Sequence, residues 1–118
     1  MTQDSRPEND PPVTLINVFE VPDEHADAFV EGWRQRAALM SQKPGFLDTR
    51  LHRALSSQAR FRFVNVAHWE NGEAFRDATA DTEFREQIAA ATADPRVPIS
   101  ANPGLYEVVA GYGDPRRA

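Results

Sequence analysis

The sequence predicts a single α+β domain in which four strands and two helices follow one another in the order β-α-β-β-α-β. Three observations support this prediction. The chain has 118 residues, which is close to the usual size of one domain. Stretches of alternating apolar residues, typical of strands, are interleaved with stretches in which apolar residues recur every three or four positions, typical of helices. Prolines and glycines separate these stretches, and the sequence shows no internal repeat.

The first half of the chain shows both patterns. Apolar residues alternate over residues 13–21, which predicts the first strand, and Asn17 interrupts one of its apolar rows. The next stretch carries an apolar stripe at spacings of three and four, which predicts the first helix. Trp33 lies on this stripe, where a tryptophan most often packs in the core. Pro44-Gly45 ends the helix.

The second half completes the order of the elements. Further strands are predicted at 46–55, 61–70 and 105–112. The second helix follows Asn71, a suitable N-cap, and residues 82–89 either continue this helix or begin another. Residues 94–104 contain three prolines and are predicted to form a loop. Four strands and two helices in this order predict a ferredoxin-like α+β sandwich.

The third strand, at residues 61–70, carries an unexpected polar residue. Alternation puts one row of its side chains on the same face, namely Phe61, Phe63, Asn65, Ala67 and Trp69. A buried amide needs hydrogen-bond partners, so Asn65 is either satisfied locally or directed into a pocket. In a pocket, Asn65 and Trp69 would offer hydrogen-bond donors and a flat apolar wall to an aromatic substrate with carbonyl or phenol oxygens. In the structural alternative, Trp69 plugs the end of the strand and Asn65 bonds to backbone.

The composition excludes several classes of function. The chain has no cysteine, which excludes disulfides, thiolate metal sites and cysteine nucleophiles. A formal net charge of −5 argues against nucleic acid as a partner, because phosphate binding requires a basic surface. No apolar run approaches the roughly 20 residues that span a bilayer, and the polar N-terminus lacks a signal-peptide core. We therefore expect a cytoplasmic protein with no membrane partner.

The two ends of the chain are predicted to lie outside the folded domain. Residues 1–12 contain three prolines and no apolar periodicity, so we expect a disordered N-terminal tail. The folded domain is predicted over residues 13–112, and a short C-terminal tail over residues 113–118.

The predicted sheet has more apolar surface than its own helices can cover. The first and third strands carry apolar residues on both faces, whereas two helices cover only one face of a four-stranded sheet. A second copy of the chain, packed sheet against sheet around a two-fold axis, is the economical cover for the other face. We therefore expect a homodimer with Ile16, Val64 and Val66 in its interface.

Several short motifs resemble the antibiotic biosynthesis monooxygenase family. They are the run Asn65-Val66-Ala67-His68-Trp69-Glu70, the Glu73-Ala74-Phe75 that follows it, and the Pro44-Gly45-Phe46 that precedes it. The resemblance covers about residues 13–112. It implies the same ferredoxin-like fold and a dimeric α/β barrel. It does not by itself imply one reaction, because many proteins of this superfamily share the fold and differ in activity.

The resemblance also implies roles for individual residues. In the quinone-forming members of the family, an aromatic phenol loses a proton and the resulting anion reduces O2 directly, with no flavin or metal. Asn65 and Trp69 fall on positions used in this chemistry, and Arg85 on the late helix would pair with a substrate oxyanion. We take these three residues as catalytic candidates. The substrate-binding candidates are Asn17, Phe63, Phe75 and Trp33.

The chain departs from the patterns of both branches of the superfamily. Leu51 and Phe75 stand where the quinone-forming members have tyrosines, which removes two phenols from the route of proton transfer. The second branch degrades haem and uses an asparagine on the first strand, a tryptophan on the second helix and an iron-ligating histidine on the late helix. Asn17 matches the first, but Ala78 and Ile88 stand at the other two positions. Haem degradation is not predicted, because the imidazole that would hold the iron is missing.

No metal or cofactor site is predicted. The three histidines, His25, His52 and His68, lack the carboxylate spacing of a metal site. The sequence has no Gly-rich phosphate loop, so it gives no support for flavin or nicotinamide binding. It also has no Ser-centred elbow.

The leading prediction is a cofactor-independent monooxygenase that oxidises a phenolic or polycyclic aromatic substrate with O2. The alternative is a non-catalytic module that holds a hydrophobic ligand in the same pocket, or that assembles with an enzyme through its dimer face. The retained Asn65 and Trp69 favour the enzyme, and the missing tyrosines favour the module.

Overall fold

A four-stranded antiparallel sheet forms the centre of the protein. The computed structural model describes residues 11–93 and 98–113. The strands are β1 (Val13–Glu20), β2 (Phe46–Arg53), β3 (Phe63–Trp69) and β4 (Ser100–Tyr106). They lie in the order β2-β3-β1-β4, and each neighbouring pair is antiparallel. The predicted α+β, ferredoxin-like fold class is confirmed.

Parts of the predicted tails and of the predicted loop lie outside the described residues. Of the N-terminal tail predicted at 1–12, the structure describes only Pro11-Pro12. Of the C-terminal tail predicted at 113–118, it describes only Gly113. Residues 94–97, in the predicted loop, are also outside the described ranges. The domain bounds of 13–112 therefore stay a prediction.

Three helices pack on one face of the sheet. They are α1 (Ala26–Met40), α2 (Gly72–Thr79) and α3 (Thr82–Thr92), with a 3₁₀ turn at Asp23–His25 before α1. Asn71 caps α2, as predicted, because its side chain accepts a hydrogen bond of 2.8 Å from the Ala74 N–H. Asp81 caps α3 by accepting 2.9 Å from the Phe84 N–H. This second cap begins a separate helix, which decides the alternative that the sequence left open.

The start of α3 is also tied to the turn after α1 by an ion pair. Lys43 Nζ lies 2.8 Å from Asp81 Oδ1, while Asp81 Oδ2 accepts from the Phe84 N–H. The Lys43 hydrogen bond and then the Phe84 hydrogen bond hold the pKa of the Asp81 carboxyl below its ordinary value. The ion pair thus joins two segments that are far apart in the sequence.

Strand β4 differs most from the prediction. It spans Ser100–Tyr106, whereas the sequence predicted a loop to residue 104 and a strand at 105–112. The predicted strand is wrong beyond Tyr106, because residues 107–112 have no regular secondary structure. Pro103 is tolerated because β4 lies at the edge of the sheet. The Asn102 N–H points toward β1, so the Pro103 nitrogen points away from β1 and no ladder bond is lost.

Strand β2 contains a bulge that changes which side chains face the helices. Strict alternation predicts Leu47 on the face of Thr49 and Phe46 on the opposite face. The register with β3 shifts between Phe46 and Asp48, so Phe46 and Thr49 both face the helices. Leu47 is 49% exposed as a result. Strands β2 and β3 are also shorter than predicted, since they end or begin at Arg53 and Phe63.

The core consists of two apolar clusters at opposite ends of α1. The first cluster contains Phe19, Val21, Phe29 and Phe63. The second contains Met40, Ala67, Trp69 and Ala78. Helix α1 contributes Phe29 near its beginning and Met40 at its end, so both ends of this helix are held against the sheet. The middle of α1 lies over the middle of the sheet, between the two clusters.

The second face of the sheet carries an apolar surface of its own. Ile16, Val18, Val64 and Val66 point to this face and are each partly exposed. His68 lies on the same face, 2.8 Å from an oxygen of Asp48. All three helices pack on the opposite face, so none of the described residues forms a layer here. None of the helices in the described ranges is long and apolar enough to cross a membrane.

Gly45, in the turn between α1 and β2, is a position where the fold requires glycine. Its φ is 87°, and a Cβ built there would overlap with the Ala74 Cβ. We expect Gly45→Ala to lower the free energy of unfolding by about 2 kcal/mol or more, from backbone strain and steric overlap. Chemical denaturation measures this loss. Gly111→Ala is the matched control, because an added Cβ there meets nothing within 4 Å; equal stability of the two variants would contradict the explanation.

Candidate functional site

A cavity of about 430 Å³ lies between α1 and the sheet, in the gap between the two apolar clusters. Its volume is in the range of binding sites for small molecules. Small residues of α1 leave room for this gap beside the larger Trp33 and Arg36; they are Ala28, Gly32 and Ala37. The bulky residues that hold α1 against the sheet, Phe29 and Met40, lie toward its two ends. The cavity is therefore a consequence of the residue sizes along one helix.

Two asparagines lie side by side on the sheet wall of this cavity. Asn17 of β1 and Asn65 of β3 are directly paired across the two strands, and both line the cavity. Directly opposite residues of an antiparallel pair have Cβ atoms about 4.5–5.5 Å apart. The two amides can therefore act on one ligand atom or on two neighbouring atoms.

Hydrogen bonds within the sheet orient both amides. The Thr49 hydroxyl of β2 donates a hydrogen bond of 2.6 Å to Asn65 Oδ1. The Asn102 backbone N–H of β4 donates one of 2.9 Å to Asn17 Oδ1. Because a backbone N–H can only donate, it must meet the oxygen of the Asn17 amide. Both oxygens are occupied in this way, and among the described residues neither NH₂ group has a hydrogen-bond acceptor, so both are left as donors for a ligand.

Trp69 closes one end of the cavity as a rigid aromatic wall. It is only 2% exposed and packs edge-to-face against two phenylalanines that also line the cavity. The ring centroids of Phe46 and Phe75 lie 5.3 Å and 6.0 Å from that of Trp69, at interplanar angles of 86° and 79°. Edge-to-face packing on both sides fixes the plane of the indole.

Helix α1 contributes the other tryptophan and a charged residue that the sequence analysis missed. Trp33 and Arg36 both line the cavity. Arg36 is the one charged side chain in the described lining, and burial lowers the pKa of its guanidinium. The signal was present in the sequence, because Arg36 lies three residues after Trp33 and four before Met40, on the stripe read as apolar. A charged residue on such a stripe is missed when the stripe is identified from its apolar residues alone.

Two of the predicted site residues lie elsewhere. Phe63, predicted to bind substrate, is 1% exposed and stacks on Phe29 with ring centroids 4.9 Å apart, outside the cavity lining. Arg85, predicted to be catalytic, is exposed and is not part of the lining. Its neighbours Phe84 and Ile88, four residues apart on α3, face the cavity and turn Arg85 outward. The structure brings together the other five candidates: Asn17, Trp33, Asn65, Trp69 and Phe75.

The described lining lacks the side chains that most often bind a catalytic metal ion or the iron of haem. It contains no histidine, cysteine or carboxylate, and Ile88, which the sequence analysis aligned with the histidine of the haem-degrading branch, lines the cavity. His52 and His68 lie on the opposite face of the sheet, where they contact the Val64 carbonyl and Asp48. Within residues 11–93 and 98–113 no three His, Cys, Asp or Glu side chains cluster as metal ligands. The described lining residues do not fit a haem held by a histidine.

Comparisons with known proteins agree with this fold. A mycobilin-producing heme oxygenase of Mycobacterium tuberculosis is 38% identical over 65 residues, which span 55% of this chain and 60% of that protein. A proposed monooxygenase from Shewanella loihica PV-4 is 32% identical, with a TM-score of 0.69 over 86% of this chain and 98% of its own. SnoaB, a cofactor-independent oxygenase from Streptomyces nogalater, is 27% identical, with a TM-score of 0.73 over 88% of this chain and 99% of its own.

The family model gives the most direct result. The model of the antibiotic biosynthesis monooxygenases matches residues 12–90, which include β1 to β3, the first two helices and most of α3. Asn17, Trp33, Asn65, Trp69 and Phe75 all fall within this match. The chain belongs to the antibiotic biosynthesis monooxygenase family.

Proposed function

We propose that the protein is a cofactor-independent monooxygenase that oxidises a phenolic or polycyclic aromatic compound to a quinone with O2. The observation that carries the proposal is the pair of amide NH₂ groups of Asn17 and Asn65 in a mostly apolar, aromatic-walled cavity. The similarity to SnoaB, which is described as a cofactor-independent oxygenase, supports the same chemistry.

The demanding step of this reaction is the formation of the substrate anion. As the proton leaves, negative charge develops on the substrate oxygen, and preorganised donors stabilise that charge best in a cavity with little water. Asn65 is the principal donor, Asn17 supplies a second, and Trp69 holds the plane of the ring. The hydrogen bonds of Asn65 and Asn17 within the sheet hold the two amides in place before the substrate binds.

The anion then transfers electrons to O2, and a carbon–oxygen bond forms at the activated ring carbon. The resulting hydroperoxide loses water, so that one oxygen atom stays in the quinone and the other leaves in the water molecule. No histidine or carboxylate in the described lining is placed to accept the first proton. We therefore assign that proton to a water molecule. The amide donors of Asn17 and Asn65 promote its loss by lowering the pKa of the substrate phenol.

We also propose that the protein works as a homodimer. Ile16, Val64 and Val66 form a partly exposed apolar surface on the face of the sheet opposite the helices. Burial of such a surface against a second copy is favourable and keeps it from non-specific association.

Removal of the principal donor tests the catalytic proposal. We expect Asn65→Ala to lower turnover by about 10²–10³-fold, the usual effect of losing one oxyanion donor. Trp69→Phe keeps an aromatic wall and should fall between wild type and Asn65→Ala. The measurement is O2 consumption by metal-free and flavin-free protein across a panel of anthrones, naphthols and hydroquinones.

The melting temperature is the control for these variants. A folded Asn65→Ala protein that oxidises substrate at the wild-type rate would contradict the catalytic role of the amide. The non-catalytic binding module would then be the better description.

A charged substitution on the open face tests the dimer. We expect wild type to sediment as a dimer at micromolar concentration and Val66→Asp to sediment as a monomer. An unpaired carboxylate in such an interface costs on the order of several kcal/mol. Leu55→Asp is the matched control, because Leu55 is fully exposed in the connection between β2 and β3. A monomeric wild type would refute the proposed interface.

A titration with hemin tests the rival activity suggested by the heme oxygenase relative. We expect no sharp Soret shift of a histidine-ligated haem, because Ile88 occupies the position of the ligand and no histidine is in the described lining. A stoichiometric complex with a histidine-type spectrum would show that the protein binds haem through a histidine, which would contradict the proposed cofactor-independent site.

A further inference from the structure

The mechanism above makes no use of Arg36, although its side chain reaches the same cavity. Arg36 lies on α1 one turn after Gly32 and Trp33, and all three line the cavity. A Cβ built on Gly32 would lie 3.3 Å from Arg36 Nη1, so the guanidinium folds back over the glycine. The missing side chain at Gly32 leaves the space that brings this charge to the cavity wall.

No carboxylate among the described residues neutralises Arg36. The ion pairs in these ranges are Lys43–Asp81, Arg60–Glu20, Arg62–Asp23 and His68–Asp48. Desolvation by burial lowers the pKa of Arg36, in the direction that a cation without a compensating anion shows. The guanidinium nevertheless stays protonated at neutral pH. Within residues 11–93 and 98–113, the mostly apolar cavity thus carries one positive charge on its helix wall with no carboxylate paired to it.

The position of Arg36 is informative because α1 also has solvent-exposed positions that an arginine can occupy. Arg34, two residues earlier on α1, is exposed to solvent, as expected for a residue that only adds surface charge. Arg36 instead points to the cavity, where a partly buried cation is unfavourable unless a partner pairs with it. A ligand with a negative group would supply that partner.

We propose that Arg36 binds a carboxylate of the substrate, so that the substrate is a hydroxylated aromatic carboxylic acid. One positive charge matches one monoanionic group, and the planar guanidinium matches the two oxygens of a carboxylate. Arg36 lies on the helix wall, whereas Asn17 and Asn65 lie on the sheet wall. The acid group and the reacting phenol oxygen are therefore at separate positions on the aromatic body of the substrate.

This assignment of a substrate class rests on the proposed oxygenase function, but the binding of the acid is tested separately from the reaction. The probes are 6-hydroxy-2-naphthoate and 6-hydroxy-2-naphthamide, which share ring, hydroxyl and shape and differ in charge. Isothermal titration calorimetry without O2 measures binding alone. We expect wild type to bind the acid about tenfold or more tightly than the amide, since hydrogen bonds to charged groups are the stronger ones.

Substitutions at Arg36 locate the source of this preference. Arg36→Gln should bind acid and amide equally, and Arg36→Lys should keep part of the preference, because it keeps the charge and loses the bidentate geometry. Arg34→Gln is the matched control and should keep the wild-type ratio. Melting temperatures report whether each variant is folded. If Arg36→Gln does not fold, the wild-type ratio and the Arg36→Lys ratio still decide.

Each outcome separates the two proposals. Equal binding of acid and amide by wild type, no binding of either, or an unchanged ratio in a folded Arg36→Gln would overturn the role of Arg36. An Arg36-dependent preference without O2 consumption by the acid would support the acid-binding site and count against the oxygenase function. Oxidation of neutral phenols with no preference for acids would support the oxygenase and refute the acid site.

Discussion

The site depends on a row of hydrogen bonds that draws on all four strands. Thr49 of β2 holds the amide of Asn65 on β3, and Asn102 of β4 holds the amide of Asn17 on β1. The two inner strands thus carry the functional amides, and the two outer strands orient them. A partly buried amide is unfavourable without partners, so the same bonds that orient the donors also make two polar residues acceptable on an apolar sheet face. The same hydrogen bonds therefore both orient the two amides and stabilise them on the sheet face.

The cavity above this row has a stability cost that the two ends of α1 offset. Protein interiors are close-packed, and the walls of a cavity forgo dispersion contacts that a filled core would make. Phe29 at one end and Met40 at the other anchor the helix in the two apolar clusters. Gly32 and Ala37 leave the space between them. Helix α1 is therefore held against the sheet at both of its ends, and the candidate ligand site lies between its middle and the sheet.

The sequence predicted those features that depend on local pattern. The third strand, the cap at Asn71 and the shared face of Asn65 and Trp69 all follow from alternation or from a single capping residue. The alternation of side chains along a strand does not show where the helices leave a gap over that face. Phe63 was therefore predicted to bind substrate, although it is buried in the core. Arg36 was missed because a stripe of apolar residues hides one long polar side chain among them.

Features that depend on contacts between distant segments were out of reach of the sequence. Ser-Ala-Asn-Pro-Gly is typical of a loop, and it forms β4 only because β1 is there to pair with it. Pro103 within this strand has a consequence for colloidal behaviour. The outer edge of a sheet is a template on which a foreign strand can add, and such addition leads to ordered aggregates. With the Pro103 nitrogen directed outward and lacking a hydrogen, one bond of any added strand cannot form, so the edge resists growth into a longer sheet.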